Sequence, residues 1–255
     1  MKQTRATKEC ASEFGVASSA ANMIRKAFYP AIQGLSDGGM VNRFTSRVLK
    51  AICLNRQGER GTRDLHGGEL AYLEHFQFNT QSPLHEHLLV QPKVSLNKKR
   101  ELSVHLPAFQ PLKELKTPNR YSETTIRILA VAFNFKKEFH QYFEHHEIVI
   151  PRGQKVQEVT DWICPEQVPT GCVILVSMSV HHWNGGTPLM EKFSLNSKEL
   201  MPSAIIGTFE TEEEVAVAEA VAGAVAVAGE KEVEVAVSEP ALSFRCLWPD
   251  TGAMS

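Results

Sequence analysis

The chain has 255 residues, a formal net charge of −2, 43% hydrophobic and 22% charged residues, so it has the composition of a globular chain and not of a fibrous or repetitive one. At this length folding can bury roughly 70 to 75% of the surface exposed in the unfolded chain, enough for one or two domains with cores of their own. The N-terminus MKQTRATKECASEFG carries no apolar run of signal-peptide length, and the longest apolar stretch, Val215 to Gly229, is broken by Glu219 and falls short of the roughly 20 residues a spanning helix needs. A cytoplasmic, non-membrane protein is expected.

The first element is a helix over Phe14 to Ile32. Phe14, Ala17, Ala21, Ile24, Phe28 and Ile32 recur at three- and four-residue steps, and Pro30 should weaken or end it. Gly34 and Ser36-Asp37-Gly38-Gly39 form a loop, after which Val41, Phe44, Val48 and Ile52 mark one stripe of a second helix. The two make a helical hairpin at about 12 to 55. The polar, glycine-rich run RQGERGTRDLHGG is a connection, and Glu69 to Phe78 is a short helix or strand.

The period then changes to two. Leu88, Val90, Pro92, Val94 and Leu96 alternate with Leu89, Gln91, Lys93, Ser95 and Asn97, and after a turn at Lys98-Lys99, Leu102, Val104 and Leu106 alternate with Glu101, Ser103 and His105, as in a half-buried antiparallel hairpin. Pro92 cannot donate to a ladder, so its strand belongs at a sheet edge or bulge. Residues 107–122, with three prolines, read as an ordered linker. Thr124 to Phe135, apolar on both faces, reads as a central strand. Glu147 to Pro151 and Gly171 to Trp183 follow, the latter with Cys172, Ile174, Val176, Met178 and Val180 on one face. Met190 to Leu195 and Ala204 to Phe209 are weaker strands. The expected class is α+β: a helical hairpin, an antiparallel immunoglobulin- or fibronectin-like β-sandwich at about 84 to 209, and a low-complexity acidic tail from 210 to 255 built of Ala, Val, Glu and Gly, disordered or weakly ordered.

The runs FGVASSAANMIRKAF, SDGGMVNRFTSRVLKAI and LAYLEHFQFN, and the later VHLPAFQPLKELKTP and TTIRILAVAFNF, resemble a family of bacterial hypothetical proteins over about residues 8–209. The resemblance implies no activity and no catalytic residue, and the Ala/Val/Glu tail departs from it.

The side chains point away from catalysis. The ten histidines include His85 and His87, then His140, His145 and His146, then His181 and His182. Neighbours in a strand face opposite ways, so His181 and His182 cannot ligate one metal, and His85 with His87 supplies two ligands where zinc needs more. The cysteines (Cys10, Cys53, Cys164, Cys172 and Cys246) are odd in number and irregularly spaced, as reduced thiols are. Cys172 lies on an apolar strand face, and the acidic neighbours of Cys164 would raise its pKa. No GxSxG, P-loop or dinucleotide pattern occurs. No catalytic residue, cofactor or metal is therefore expected.

Charge is unevenly placed. Residues 1–65 hold eleven Lys and Arg against five Asp and Glu, a balance of +6, and residues 210–239 hold nine Glu against Lys231, a balance of −8. Arg25, Lys26, Arg43, Arg47, Lys50, Arg56, Arg60 and Arg63 are the candidate contacts to a polyanion such as nucleic acid. The leading expectation is a non-enzymatic structural or protein-interaction protein that binds a partner or itself, with nucleic-acid association through the basic helices as the alternative.

Overall fold

A computed structural model describes residues 4–56, 58–186 and 190–213, and Met1–Glu214 forms one compact unit. The expected tail lies, from residue 214 on, outside the described residues. The fold combines helices with antiparallel sheets, the larger sheet curled into a half-barrel. Among the described residues no helix is long and apolar enough to cross a membrane.

Helix α1 spans Arg5–Ala27 and begins earlier than its apolar stripe, because the Thr4 hydroxyl caps it by accepting from the Thr7 N–H at 3.2 Å. Ala17, Ala21 and Ile24 are buried on the expected face, whereas Phe14 is 55% exposed and Glu13 is buried in the adjacent position. The helix closes at Phe28; Pro30 sits in the first turn of a one-turn helix, α2 (Tyr29–Ile32), which Gln33 stops in a left-handed conformation. Helix α3 (Met40–Cys53) packs on α1 through Phe44, Val48 and Ile52, while Val41 is exposed and Met40 takes its buried place. A 3₁₀ turn at Leu70–Leu73 and one-turn helices α4 (Leu84–His87) and α5 (Pro111–Glu114) punctuate the connections.

The small sheet holds β1 (Lys93–Leu96), β2 (Leu102–Leu106) and β6 (Thr160–Ile163) in the order β1-β2-β6, all antiparallel. Strand β1, which begins just after Pro92, is at its edge. In the large sheet, β3 (Glu123–Asn134) and β7 (Val173–Asn184) run antiparallel from Glu123↔Trp183 to Phe133↔Val173. Strands β5 (His146–Pro151) and β4 (Phe139–Tyr142) share the far side of β3, while β9 (Ser203–Glu210) and β8 (Phe193–Ser194) share that of β7. The weak Met190–Leu195 strand shrinks to two residues. Strands β4 and β6 were not foreseen, being four-residue edges with no clean alternation.

Alternation along β3 and β7 divides two cores. Leu129, Val131, Phe133, Val173 and Leu175 face the helices. Ile126, Ile128, Ala130, Ile174, Val176, Met178 and Val180 face Leu102, Val104, Leu106 and Trp162 of the small sheet. The layers are therefore helices, large sheet, small sheet. Gly207 marks where the two sheets touch, since a Cβ there would lie 2.9 Å from Val94 Cβ.

Candidate partner-binding groove and a buried histidine row

The outward face of α3 carries Arg43, Arg47 and Lys50 one turn apart, and the 3₁₀ turn with the following segment, 70–80, forms the opposite wall. Between them lie two adjoining depressions of about 590 and 510 Å³ that share Arg47. Arg43, Lys50, His75, Phe76 and Thr80 line the first, and Arg56, Glu69 and Tyr72 the second. Arg43 is met by Asp37, which leaves Arg47, Lys50 and Arg56 against one acid, Glu69, along the two joined depressions, so their potential is positive.

The groove is held rigid by its own charges. Arg43 pairs with Asp37, donates to the Gln77 carbonyl at 3.1 Å, and lies over the Phe76 ring at 5.2 Å. Burial pushes the Asp37 carboxyl upward, but the Thr80 and Gly39 N–H groups and the Arg43 guanidinium outweigh it and hold the group below its ordinary range. Arg47 donates to the Tyr72 carbonyl at 3.1 Å, and Lys50 sits 4.5 Å above the Tyr72 ring. Arg47, Lys50 and Arg56 remain exposed.

The other four candidate cations are not on this groove. Arg25 donates back to the Ala21 carbonyl and to Asn22, and Lys26 is exposed on α1. Arg60 pairs with Glu9 at 3.7 Å. Arg63 is 2.7 Å from buried Glu13, which also accepts from the Gly61 N–H at 2.9 Å. Burial raises the Glu13 carboxyl, and these two donors more than reverse it. Arg63 is thus a structural partner of a buried acid, an arrangement invisible in sequence because Glu13 and Arg63 lie far apart in the chain.

A larger cavity of about 660 Å³ is lined by Arg63, His66 and Lys136 as well as Asp64, Glu210 and Glu213. Glu210 takes both hydrogen bonds of the Gly67 N–H, at 2.9 and 3.0 Å, and Lys136 pairs with Glu213 at 3.3 Å. Lys136 is met by Glu213 and Arg63 by Glu13, and Asp64, Glu210 and Glu212 leave the lining acidic, the opposite of the α3 groove.

The end of the large sheet carries a polar row that runs from the exposed Glu147 through half-buried Arg127 into the core. On its helix-facing side one register row crosses four strands: Glu147, Arg127, Ser179 and Ser203. The next row holds Thr125 opposite His181. His181 Nε2 is 2.8 Å from the Ser179 hydroxyl, and His182, on the opposite face as alternation demands, has Nδ1 2.9 Å from the Thr124 hydroxyl. Both imidazoles are fully buried, and burial pushes each down to about 4; Arg127 and His182 add to this at His181 with Glu147 opposing, and His87 adds to it at His182. Four buried side-chain atoms have no partner among the described residues: His87 Nδ1, His181 Nδ1, His182 Nε2 and Ser203 Oγ.

His85 and His87 lie in the one-turn helix α4 and not in a strand, so they do not share a face: His85 is exposed and His87 turns inward. Among the described residues no group of three or more His, Cys, Asp or Glu could hold a metal ion. Burial pushes the Cys164 thiol up to about 11, with Glu166 and Glu144 adding to it, and burial also raises Cys172; neither is poised as a thiolate.

No family model matches the chain, and no curated protein matches it.

Proposed function

We propose that the chain is a non-enzymatic binding protein whose α3 groove docks an acidic segment of a partner protein. The observation that carries this reading is the convergence of Arg43, Arg47, Lys50 and Arg56 on one groove, three of them exposed, on a rigid helical wall. A site built on a helix holds its geometry better than one on loops, and a one-signed groove steers an oppositely charged partner. In this proposal the facing sheets serve as an immunoglobulin- or fibronectin-like sandwich does, as the stiff body that presents the groove.

Nucleic acid is the second reading, favoured by the same run of cations. Single-strand binding draws much of its energy from bases stacked on open aromatic faces. Here Lys50 and Arg43 lie over the Tyr72 and Phe76 rings, which favours carboxylates over bases.

The test is fluorescence anisotropy with two labelled probes, a hexaglutamate peptide and a single-stranded oligonucleotide, across a salt series. The expected result is peptide binding that weakens with salt and falls at least about tenfold in Arg47→Glu/Lys50→Glu. Tight oligonucleotide binding lost in the same variant would replace the first reading with the second. No salt-dependent binding of either probe would end both.

A further inference from the structure

The basic groove does not stop at its cationic wall. His75 and Gln77 line it, and the same two residues form one side of a second, more enclosed cleft of about 110 Å³. Apolar side chains predominate in it: Leu84, Leu88, Val90 and Ile206 contribute, beside the polar His85 and Gln91, and Leu89 in the same lining is 59% exposed.

The wall formed by β9 and the segment paired to it departs from regular backbone twice. The β7–β9 register passes from Val176↔Gly207 to Ser177↔Ile205, leaving Ile206 as the extra residue of a β-bulge. Beside it, His75 is in the left-handed region at φ 58. The segment after it is tied to β9: the His75 N–H donates to the Ile205 carbonyl at 2.9 Å, and the Ile205 N–H donates back to Phe76 at 3.0 Å. Bulges re-aim side chains and collect beside functional sites, and strained non-glycine backbone persists where surrounding structure enforces it. Two such features side by side on one wall of a cleft, with Leu84, Leu88 and Val90 completing its lining and an exposed Leu89 among them, describe a socket.

Size and spacing then specify what it takes. An apolar cavity of about 150 Å³ holds a benzene ring, so a cleft of 110 Å³ suits a leucine, isoleucine or methionine side chain better than a tryptophan. Arg43 and Lys50 are seven residues apart on α3, about 10 Å, which an extended peptide covers in about three residues. Arg43 donates to Gln77, the residue shared with the cleft.

We propose that the groove and the cleft together recognise an extended acidic segment of a partner protein carrying one leucine-sized apolar side chain, which seats in the cleft beside a run of three or four carboxylates. This rests on the groove reading above and adds the apolar anchor to it.

The experiment measures anisotropy for fluorescein-labelled peptides made of five acidic residues with a terminal Leu, placed at either end, and for the matched peptides with Ala in its place. For the unsubstituted protein, one of the Leu peptides should bind about tenfold more tightly than its Ala counterpart. Val90→Phe, or Ile206→Phe if the first variant unfolds, should abolish that difference and leave the Ala peptide unchanged. Arg47→Glu/Lys50→Glu should weaken Leu and Ala peptides alike. Equal binding of Leu and Ala peptides at both ends overturns the anchor and leaves the groove reading standing, whereas no binding of any acidic peptide overturns both.

Discussion

Lowering the pH from about 7 to 5 should remove several kcal/mol of stability through two side chains. His181 and His182 are fully buried, with pKa values pushed down to about 4, whereas an unfolded histidine titrates near 6.5. As the pH falls below about 6.5 the unfolded chain takes up a proton at each position and the native chain does not. Stability is therefore fully present above that range, falls through it, and goes on falling until about pH 4, where the native imidazoles accept protons too. At about 1.4 kcal/mol per pH unit for each group, the two together cost about 4 kcal/mol by pH 5. That is a large share of the roughly 5 to 15 kcal/mol that holds a typical domain together. Burial lowers His87 and His146 as well, which adds in the same direction. The depressed carboxyls of Glu13, Asp37 and Glu210 lose their contribution only below about pH 4.5, so the interval from 7 to 5 isolates the imidazoles. Urea unfolding followed by tryptophan fluorescence at half-unit steps gives the slope, and His181→Leu and His182→Leu should each reduce it by about one proton. A wild-type slope equal to that of the double variant over this interval would refute the reasoning.

Further predictions concern packing and pairing. Glu13→Ala should destabilise by about 2 to 4 kcal/mol in thermal or urea unfolding, because it leaves Arg63 only the Cys53 carbonyl as a partner and takes the acceptor from the Gly61 N–H. Gly207→Ala should cost about 1 to 3 kcal/mol by driving a methyl into Val94, and Val94→Ala in the same chain should recover part of that loss. Phe14→Ser should change stability by less than about 0.5 kcal/mol, whereas Phe44→Ala should cost about 3 to 5; equal effects would mean that α1 is rotated from the arrangement described.

The elements that sequence foretold are those whose pattern is set by one buried face or two. Strand β3 is apolar on both sides because it lies between two layers, and β7 places Ile174, Val176 and Met178 on one face whatever it packs against. Pro92 comes just before β1, and β1 is an edge strand, one of the two places its missing donor allows. The opposite orientation of His181 and His182 follows from the two-residue period of a strand.

What sequence could not supply came from distance along the chain. Glu13 reads as a solvated acid until Arg63 and Gly61 surround it, and Phe14 reads as core until α1 is rotated by that pairing. The eight basic residues look alike in one dimension. Only packing separated Arg43, Arg47, Lys50 and Arg56 on a groove from Arg60 and Arg63, which neutralise acids of α1. Strands β4 and β6 form because β3 and β2 offer unpaired edges, a long-range property with no local signature. The burial of two histidines beside Thr124 and Ser179 has the same origin: local periodicity gives each side chain its direction, and only the tertiary structure decides whether water or another layer lies there.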